Sequence, residues 1–242
     1  MAKQVWKPGN MLYPVPAVMV TTGDGNGIDD IITIAWTGTI NSDPPMVSIS
    51  VRKSRYSHEL LTKNGEFVIN LVTKDLCYAM DYCGVKSGRD VDKFAEMKMT
   101  KGKAQTVSVP VIEESPVNIE CQVVKVEELG SHHMFLAKVT GVQVDDRFMQ
   151  DNGKFALNKT GLLAYSHGEY FELGEKLGKF GYSVAKKQAA KTESVTKSAK
   201  PSGAGKKAAS AENRTASKTE AGNRRKSASK TGSADKQKSR RK

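Results

Sequence analysis

Residues 33–57 read TIAWTGTINSDPPMVSISVRKSRYS, and their pattern decides the fold class. They hold two runs with β-type alternation. Strand residues point alternately to opposite faces. In the first run Ile34, Trp36 and Ile40 fall on one side, and Thr33, Ala35, Thr37 and Thr39 on the other. In the second, Val47, Ile49 and Val51 oppose Ser48, Ser50 and Arg52. Asp43-Pro44-Pro45 separates the runs, because proline has no N–H to give to a ladder. Ser54-Arg55-Tyr56-Ser57 then leads into His58-Glu59-Leu60-Leu61, which reads as a helix start with Ser57 as its N-cap. A helix start with serines and arginines beside it is a natural anion site. The hydroxyl faces suit a flat polar ring next to that anion. Thr and Ser are equally at home on the wet face of any half-buried strand, so alternation fixes the strands and leaves the anion site an expectation.

Outward from this stretch the chain has two compositions. Residues 1–185 carry 20 Lys and Arg against 22 Asp and Glu, net −2. Residues 186–242 carry 18 against 4, net +14. The whole basic excess therefore lies at the C-terminal end. That segment has no Leu, Ile, Met, Phe, Trp or Tyr and a single Val. It cannot bury enough apolar surface to offset the entropy of ordering, so residues 186–242 are expected to be a disordered basic tail. Residues 1–185 are long enough for one substantial core. Cys77, Cys83 and Cys121 form no CxxC pair and no disulfide framework, which suits a reducing cytoplasm. The first 20 residues lack the apolar core of a signal peptide, and no run approaches a membrane span, so the expectation is a cytoplasmic protein without membrane contact.

In chain order, residues 1–16 read as an irregular arm and residues 17–22 as an apolar strand. Gly23-Asp24-Gly25-Asn26-Gly27 has the spacing GxGxG with no helix after it, so it reads as a hairpin turn and not as a dinucleotide loop. A helix over 57–64 is stopped by Asn64-Gly65, a strand covers 67–71, and residues 75–83 read as helical. Residues 91–97 give a further helical turn, and 98–108 a polar surface excursion. Two long alternating runs, 117–129 and 134–144, are joined by Gly130-Ser131-His132-His133 as a hairpin. Adjacent histidines in a strand or turn point apart, and no Cys or carboxylate stands at ligand spacing, so no metal is expected. Residues 148–160 form a loop or short helix, 162–165 a last strand, and 173–180 a Gly-punctuated closing segment. Five or six strands, few helices and hairpin connections make the fold mainly β: an antiparallel β-barrel with a few helices. There is no βαβ alternation and hence no Rossmann domain.

Five separated stretches carry a resemblance: residues 33–57, DYCGVKSGRDVDKF (81–94), SPVNIEC (115–121), GSHHMFL (130–136) and AYSHGEYFELGEKLGKFG (164–181). In this order they are similar to the flavin reductase-like, FMN-binding split-barrel family, in its flavoredoxin-like branch. The resemblance runs over roughly residues 10–184 and stops before the tail. It implies a split-barrel domain over residues 1–185 that holds FMN. By the same resemblance Arg52, Ser54, Arg55 and Ser57 take the phosphate, and Thr37, Gly38, Thr39 and Asn41 line the isoalloxazine. Arginine offers a planar fork suited to phosphate, and Gly38 lets a flat ring approach the backbone. Lys93 is placed near the cofactor. His167 is the candidate acid/base, as histidine titrates near neutral pH, with Tyr165 and Glu169 close by. Trp36 shares the phase of Ile34 and Ile40, which favours core packing over stacking on the flavin.

The resemblance further implies hydride transfer from NADH or NADPH to the flavin, onward transfer to a flavin, ferric, oxygen or protein acceptor, and a homodimer with FMN near the subunit interface. The flavin would supply the chemistry, which agrees with the absence of any nucleophile triad. Two other readings stand beside this one. The first is an FMN-binding electron carrier without NAD(P)H activity. The second is a nucleic-acid or polyanion-binding protein acting through residues 186–242, whose charge suits a phosphate backbone but which lacks aromatics for base stacking.

Overall fold

The computed structural model of the chain describes residues 1–185. The tail expected over 186–242 lies outside the described residues. Chain order begins with a short β1 (Val15–Pro16), then β2 (Val18–Gly23), β3 (Asp29–Ile34), β4 (Thr37–Ser42), β5 (Pro45–Arg52), helix α1 (Tyr56–Asn64) and β6 (Glu66–Leu71). It continues with α2 (Cys77–Val85), α3 (Lys93–Glu96), the short pair β7 (Lys101–Gly102) and β8 (Val111–Ile112), and the long pair β9 (Val117–Leu129) and β10 (His132–Val144). A closing hairpin joins β11 (Leu163–Ser166) to β12 (Glu169–Glu172).

Seven strands form one antiparallel sheet in the order β3-β2-β6-β9-β10-β5-β4. Its two edges, β3 and β4, are consecutive in sequence. The chain bends at Ala35-Trp36 between them, and the Ser50 amide donates to the Trp36 carbonyl across the corner at 2.9 Å. The sheet is thereby rolled into a barrel split at this corner. The first alternating run of the sequence is thus two strands on opposite edges. This is why one alternation phase does not carry through it: Ile34 is buried, Trp36 is half-buried at the bend, and Ile40 is 45% exposed. The expectation that Trp36 packs in the core is corrected accordingly.

Register places the barrel core. Val18 pairs with Ile34 and Val20 with Ile32, while Val20 also faces Ile69, and these side chains pack inside with Val47, Ile49 and Phe135. The alternate residues of β2 and β3, Met19 and Ile31, point outward, yet they are equally buried. They pack under α2 and the turn that leads into it, where Leu76, Met80 and Cys83 recur at helical spacing. Strands β2 and β3 are buried on both faces, so they read as near-continuous apolar runs. Burial of each such side chain contributes roughly 1.5–3 kcal/mol.

Helix α1 starts one residue earlier than expected. Arg55 occupies the N-cap position with no side-chain cap bond, and Ser57 is buried with its hydroxyl turned to Asp30. Gly65 closes the helix at φ 72°, donating to Leu61 O. His132 and His133 belong to β10, so the turn between the long strands is only Gly130-Ser131. Most of the stretch 98–108 is exposed, as expected of a surface excursion, but it is pinned to the barrel. Met99 and Ala104 are buried, and Ala104 packs with Val68, Val109 and Val111. Two of its amides meet a buried carboxylate: Glu120 accepts from the Gln105 and Thr106 amides, the Thr106 hydroxyl and Gln143 Nε2. Among the described residues no helix is long and apolar enough to cross a membrane.

Candidate functional site

The barrel's corner positions the site. One cavity of about 340 Å³ lies between the corner residues Thr33–Trp36, the end of β5, helix α2 and the β11–β12 hairpin. A second, of about 140 Å³, lies beneath Ser54–Ser57 and the loop Lys86–Gly88. Both are lined by Ile32 and Arg55, so they form one slot with two compartments. A third cavity of about 720 Å³ opens on the other side of the corner and shares Ala35, Trp36, Ser50 and His132 with the first.

The walls of the first cavity differ in chemistry. One side carries Arg52, Arg55 and His132. Arg52 and His132 are register partners on β5 and β10, which is why both reach the same mouth. Burial and the adjacent Arg52 charge hold the His132 imidazole below its ordinary value of 6.5, and its Nδ1 lies 2.8 Å from Ser131 Oγ. Among the described residues neither Arg52 nor Arg55 pairs with a carboxylate, whereas Arg89 and Arg147 do. Unpaired guanidinium groups beside a cavity are free to take an anion. The rest of the lining includes Trp36, Tyr165, Tyr170 and Asp81. The Tyr170 hydroxyl donates to Asp81 Oδ1, and burial together with this bond pushes its pKa up. Tyr13, from the N-terminal arm, stands within 6.1 Å of Trp36 and 5.9 Å of Tyr165, ring centroid to centroid.

The second compartment has a rim of Ser54, Arg55, Lys86 and Ser87 and a floor of Asp30, Ser57 and Lys93. Helix α1 begins at its edge, and the first N–H groups of a helix lack intrahelical acceptors. Asp92 caps α3 by accepting from the Phe94 and Ala95 amides, which directs Lys93 inward to an ion pair with Asp30 at 2.9 Å. Burial pushes the neighbouring Cys83 thiol up to about 12, so it stays protonated.

The slot fits a phosphate-bearing planar ligand on its own chemistry. Its donor set is two free arginines, serine hydroxyls and helix-start amides, and its ring compartment has aromatic walls. Two glycines line it where a side chain has no room: a Cβ on Gly84 would lie 3.0 Å from Thr33 Cβ, and one on Gly88 would collide with the Asp30 carboxylate.

The residues singled out from the sequence divide among these spaces. Arg52 and Arg55 line the first cavity, and Ser54, Arg55, Ser57 and Lys93 the second. Thr37 and Gly38 line the third cavity, and Thr37 Oγ1 is bonded to Ser48 O. Thr39 and Asn41 lie exposed on the edge strand β4 and line none of the three, with Asn41 Nδ2 bonded to Pro44 O. His167 is exposed at the tip of the β11–β12 hairpin, outside the cavity linings. It adopts φ 50° ahead of Gly168 at φ 96°, the two-residue turn that needs positive φ twice. Its ring meets Tyr13 edge-on at 5.8 Å.

Asp30, Asp81, His132, Tyr170 and Tyr13 were not read from the sequence as site residues. One signal was available for Asp30: a carboxylate directly before Ile31 and Ile32, at the head of an apolar strand, must find a partner or neutralise if it is buried. Tyr13 and His132 gave none, because only the closure of the barrel brings them to the corner. Among the described residues no group of three or more His, Cys, Asp or Glu gathers to hold a metal ion.

Comparison with known proteins agrees with this architecture. Residues 10–174 match the family described as the flavin reductase like domain. The flavoredoxin of Desulfovibrio vulgaris (Miyazaki F) superposes with a TM-score of 0.71 at 29% identity, covering 76% of this chain and all of the flavoredoxin chain. A flavoredoxin from Methanosarcina acetivorans gives 0.67 at 26% identity, with 76% and 100% covered. An uncharacterised protein of Archaeoglobus fulgidus is 29% identical over 160 residues, 66% of this chain and 88% of its own. Sequence, barrel topology and corner slot converge, and the chain belongs to the flavin reductase-like family.

Proposed function

We propose that the protein binds FMN and passes electrons from NADH or NADPH to a flavin, ferric or protein acceptor. The observation that carries this reading is the two-compartment slot, with Arg55 at the junction of an aromatic-walled cavity and a serine- and lysine-rimmed one. Ser54 and Arg55 would hold the phosphate through charge-assisted hydrogen bonds. Arg52 and His132 would face the ligand, with Trp36 and Tyr165 in the same lining. Thr37 and Gly38, at the far side of the corner, would border the ring's other end. Bound flavin would supply hydride acceptance and electron transfer, chemistry that no side chain here can perform. The chain's part is to orient the ring, exclude water from one face and leave the other open.

Absorbance spectra after incubation with FMN test the cofactor, and steady-state oxidation of NADH and NADPH tests the activity. Flavin binding without oxidation would make the protein an electron carrier, in keeping with its likeness to flavoredoxins. Failure to bind flavin would sink both readings.

We further propose a homodimer in the cytoplasm. Apolar side chains stand in solvent on the long strands β9 and β10 and on the closing segment, among them Val124, Leu129, Val142 and Phe180, and a second copy would cover them. The net +14 of residues 186–242 supports a weak association with polyanions as an accessory feature. Elution from heparin at the same salt with and without those residues would remove it.

A further inference from the structure

Asp30 lies near the start of β3, between Asp29 and Ile31, and is 3% exposed on the floor of the second compartment. Its two oxygens have different partners. Oδ2 accepts a hydrogen bond from Ser57 Oγ at 2.5 Å. Oδ1 lies 2.9 Å from Lys93 Nζ, off the line of a good hydrogen bond, and has no other partner. Lys93, 4% exposed, also donates to the carbonyls of Ile31 and, at 3.3 Å, Cys83. Two of its three ammonium protons are therefore engaged by backbone carbonyls, and its charge faces the Asp30 carboxylate. The backbone at Gly88 comes down on the same carboxylate so closely that no side chain would fit.

A buried ion pair is a poor stability device, because desolvation offsets most of the attraction. Set under a ligand compartment, such a pair has an electrostatic consequence instead. We propose that Asp30 is a specificity-determining residue: it neutralises Lys93 and holds Ser57, so that preference for a phosphomonoester over an uncharged ligand end rests on Ser54, Arg55 and Lys86 at the rim. The proposal builds on the flavin reading of the slot, and in it Lys93, although near the cofactor, gives no net charge to the phosphate.

Variants of the two residues separate the possibilities. Asp30→Asn keeps the shape and an acceptor for Ser57 but removes the negative charge, so FMN affinity rises roughly tenfold by Coulomb arithmetic while riboflavin affinity is unchanged. Lys93→Gln leaves Asp30 uncompensated, and FMN affinity falls by a similar factor of about ten with riboflavin again unchanged. The double variant restores a neutral floor and returns FMN affinity to near wild type. If Lys93 contacts the phosphate itself, the double variant binds as weakly as Lys93→Gln, and the proposal is wrong. If the pair is only structural, all three variants weaken FMN and riboflavin alike, and the proposal is again wrong.

The measurement is quenching of flavin fluorescence by the full-length protein, with thermal melts to confirm folding. Should Lys93→Gln fail to fold, Asp30→Asn alone decides: a raised preference for FMN over riboflavin supports the proposal, and an equal or lowered one overturns it. Flavin binding by the wild type with an unchanged preference in Asp30→Asn sinks this inference alone. A wild type that binds neither flavin takes the functional reading with it.

Discussion

The Tyr170 hydroxyl donates a 2.8 Å hydrogen bond to Asp81 Oδ1, fastening the β11–β12 hairpin to helix α2 across the mouth of the first cavity. Burial and the Asp81 bond push the phenol pKa up, so Tyr170 remains a donor throughout the neutral range. Tyr170→Phe removes the bond and keeps the ring. A hydrogen bond to a charged group contributes about 1.5–3 kcal/mol, and the partial exposure of both partners reduces that figure here. We expect a small change in melting temperature but faster amide exchange in β11 and β12. Exchange that stays as slow as in the wild type would show that the short sheet with β1 is sufficient to hold the hairpin.

Arg55 is the side chain common to both compartments, and it has no carboxylate partner among the described residues. Arg55→Ala should weaken FMN more than riboflavin, because only FMN carries the phosphate. The expected difference is on the order of 1.5–3 kcal/mol, the range for a hydrogen bond to a charged group. Equal loss for the two ligands would make Arg55 a residue of the fold alone.

The strands were legible in the sequence wherever one periodicity governed them. Val47, Ile49 and Val51 alternate with Ser48 and Ser50, and the structure buries the first set. The corner was not legible. Ala35-Trp36 carries no proline or glycine, and only closure of the sheet, seen in the Ser50–Trp36 backbone bond, makes it a bend. The site was half legible for the same reason. Ser54 and Arg55 lie in one local motif, whereas Asp30, Asp81, Tyr13 and Tyr170 meet only through long-range packing. Ser57 and Lys93 were visible as residues, but their partner Asp30 was not. The stretch 98–108 was legible as surface, but its anchoring was not, because its amides bind a carboxylate that lies 14 or 15 residues further along the chain.

That carboxylate, Glu120, is fully buried. Burial pushes its pKa up, but the Thr106 hydroxyl, the Gln105 amide, Gln143 and the Thr106 amide together outweigh burial and hold it below the ordinary 4.5. A lowered folded pKa gives stability that is present above 4.5 and is lost as pH falls through the folded value. Glu120→Gln sets an amide against the Gln105 and Thr106 N–H groups and leaves buried donors unsatisfied, at a cost of about 1–3 kcal/mol at neutral pH. We expect the variant to melt lower at pH 7 and to lose part of the wild type's decline below pH 4.5. Parallel melting curves across pH would show that Glu120 does not carry the acid sensitivity.

His58 Nε2 and His133 Nδ1 are 2.9 Å apart, joining α1 to β10 beside the site. Burial, the His133 imidazole and Lys53 hold the His58 pKa below 6.5, with Glu128 acting the other way. A histidine whose folded pKa is lowered contributes stability above its unfolded value, and the contribution fades as pH drops below about 6.5. His58→Gln should flatten the fall in melting temperature between about pH 6.5 and 5, the range below the ordinary histidine pKa. An unchanged fall would place the sensitivity elsewhere.

The last expectation concerns His167. Its exposed place at the hairpin tip, outside the cavity linings, leaves nothing for it to contribute to retention of a buried ligand. It touches the site only through Tyr13, whose ring also meets Trp36 and Tyr165. A solvent-facing histidine is well placed to meet a second substrate arriving from outside. Asparagine tolerates the left-handed backbone that His167 adopts, so His167→Asn removes the imidazole without straining the turn. We expect FMN affinity close to that of the wild type and slower flavin reduction by NADH and NADPH. Positioned acid–base groups contribute about 100- to 10,000-fold, and a group this far from the slot belongs at the low end or beneath it. A rate identical to the wild type's would reduce His167 to the turn residue that its φ already makes it.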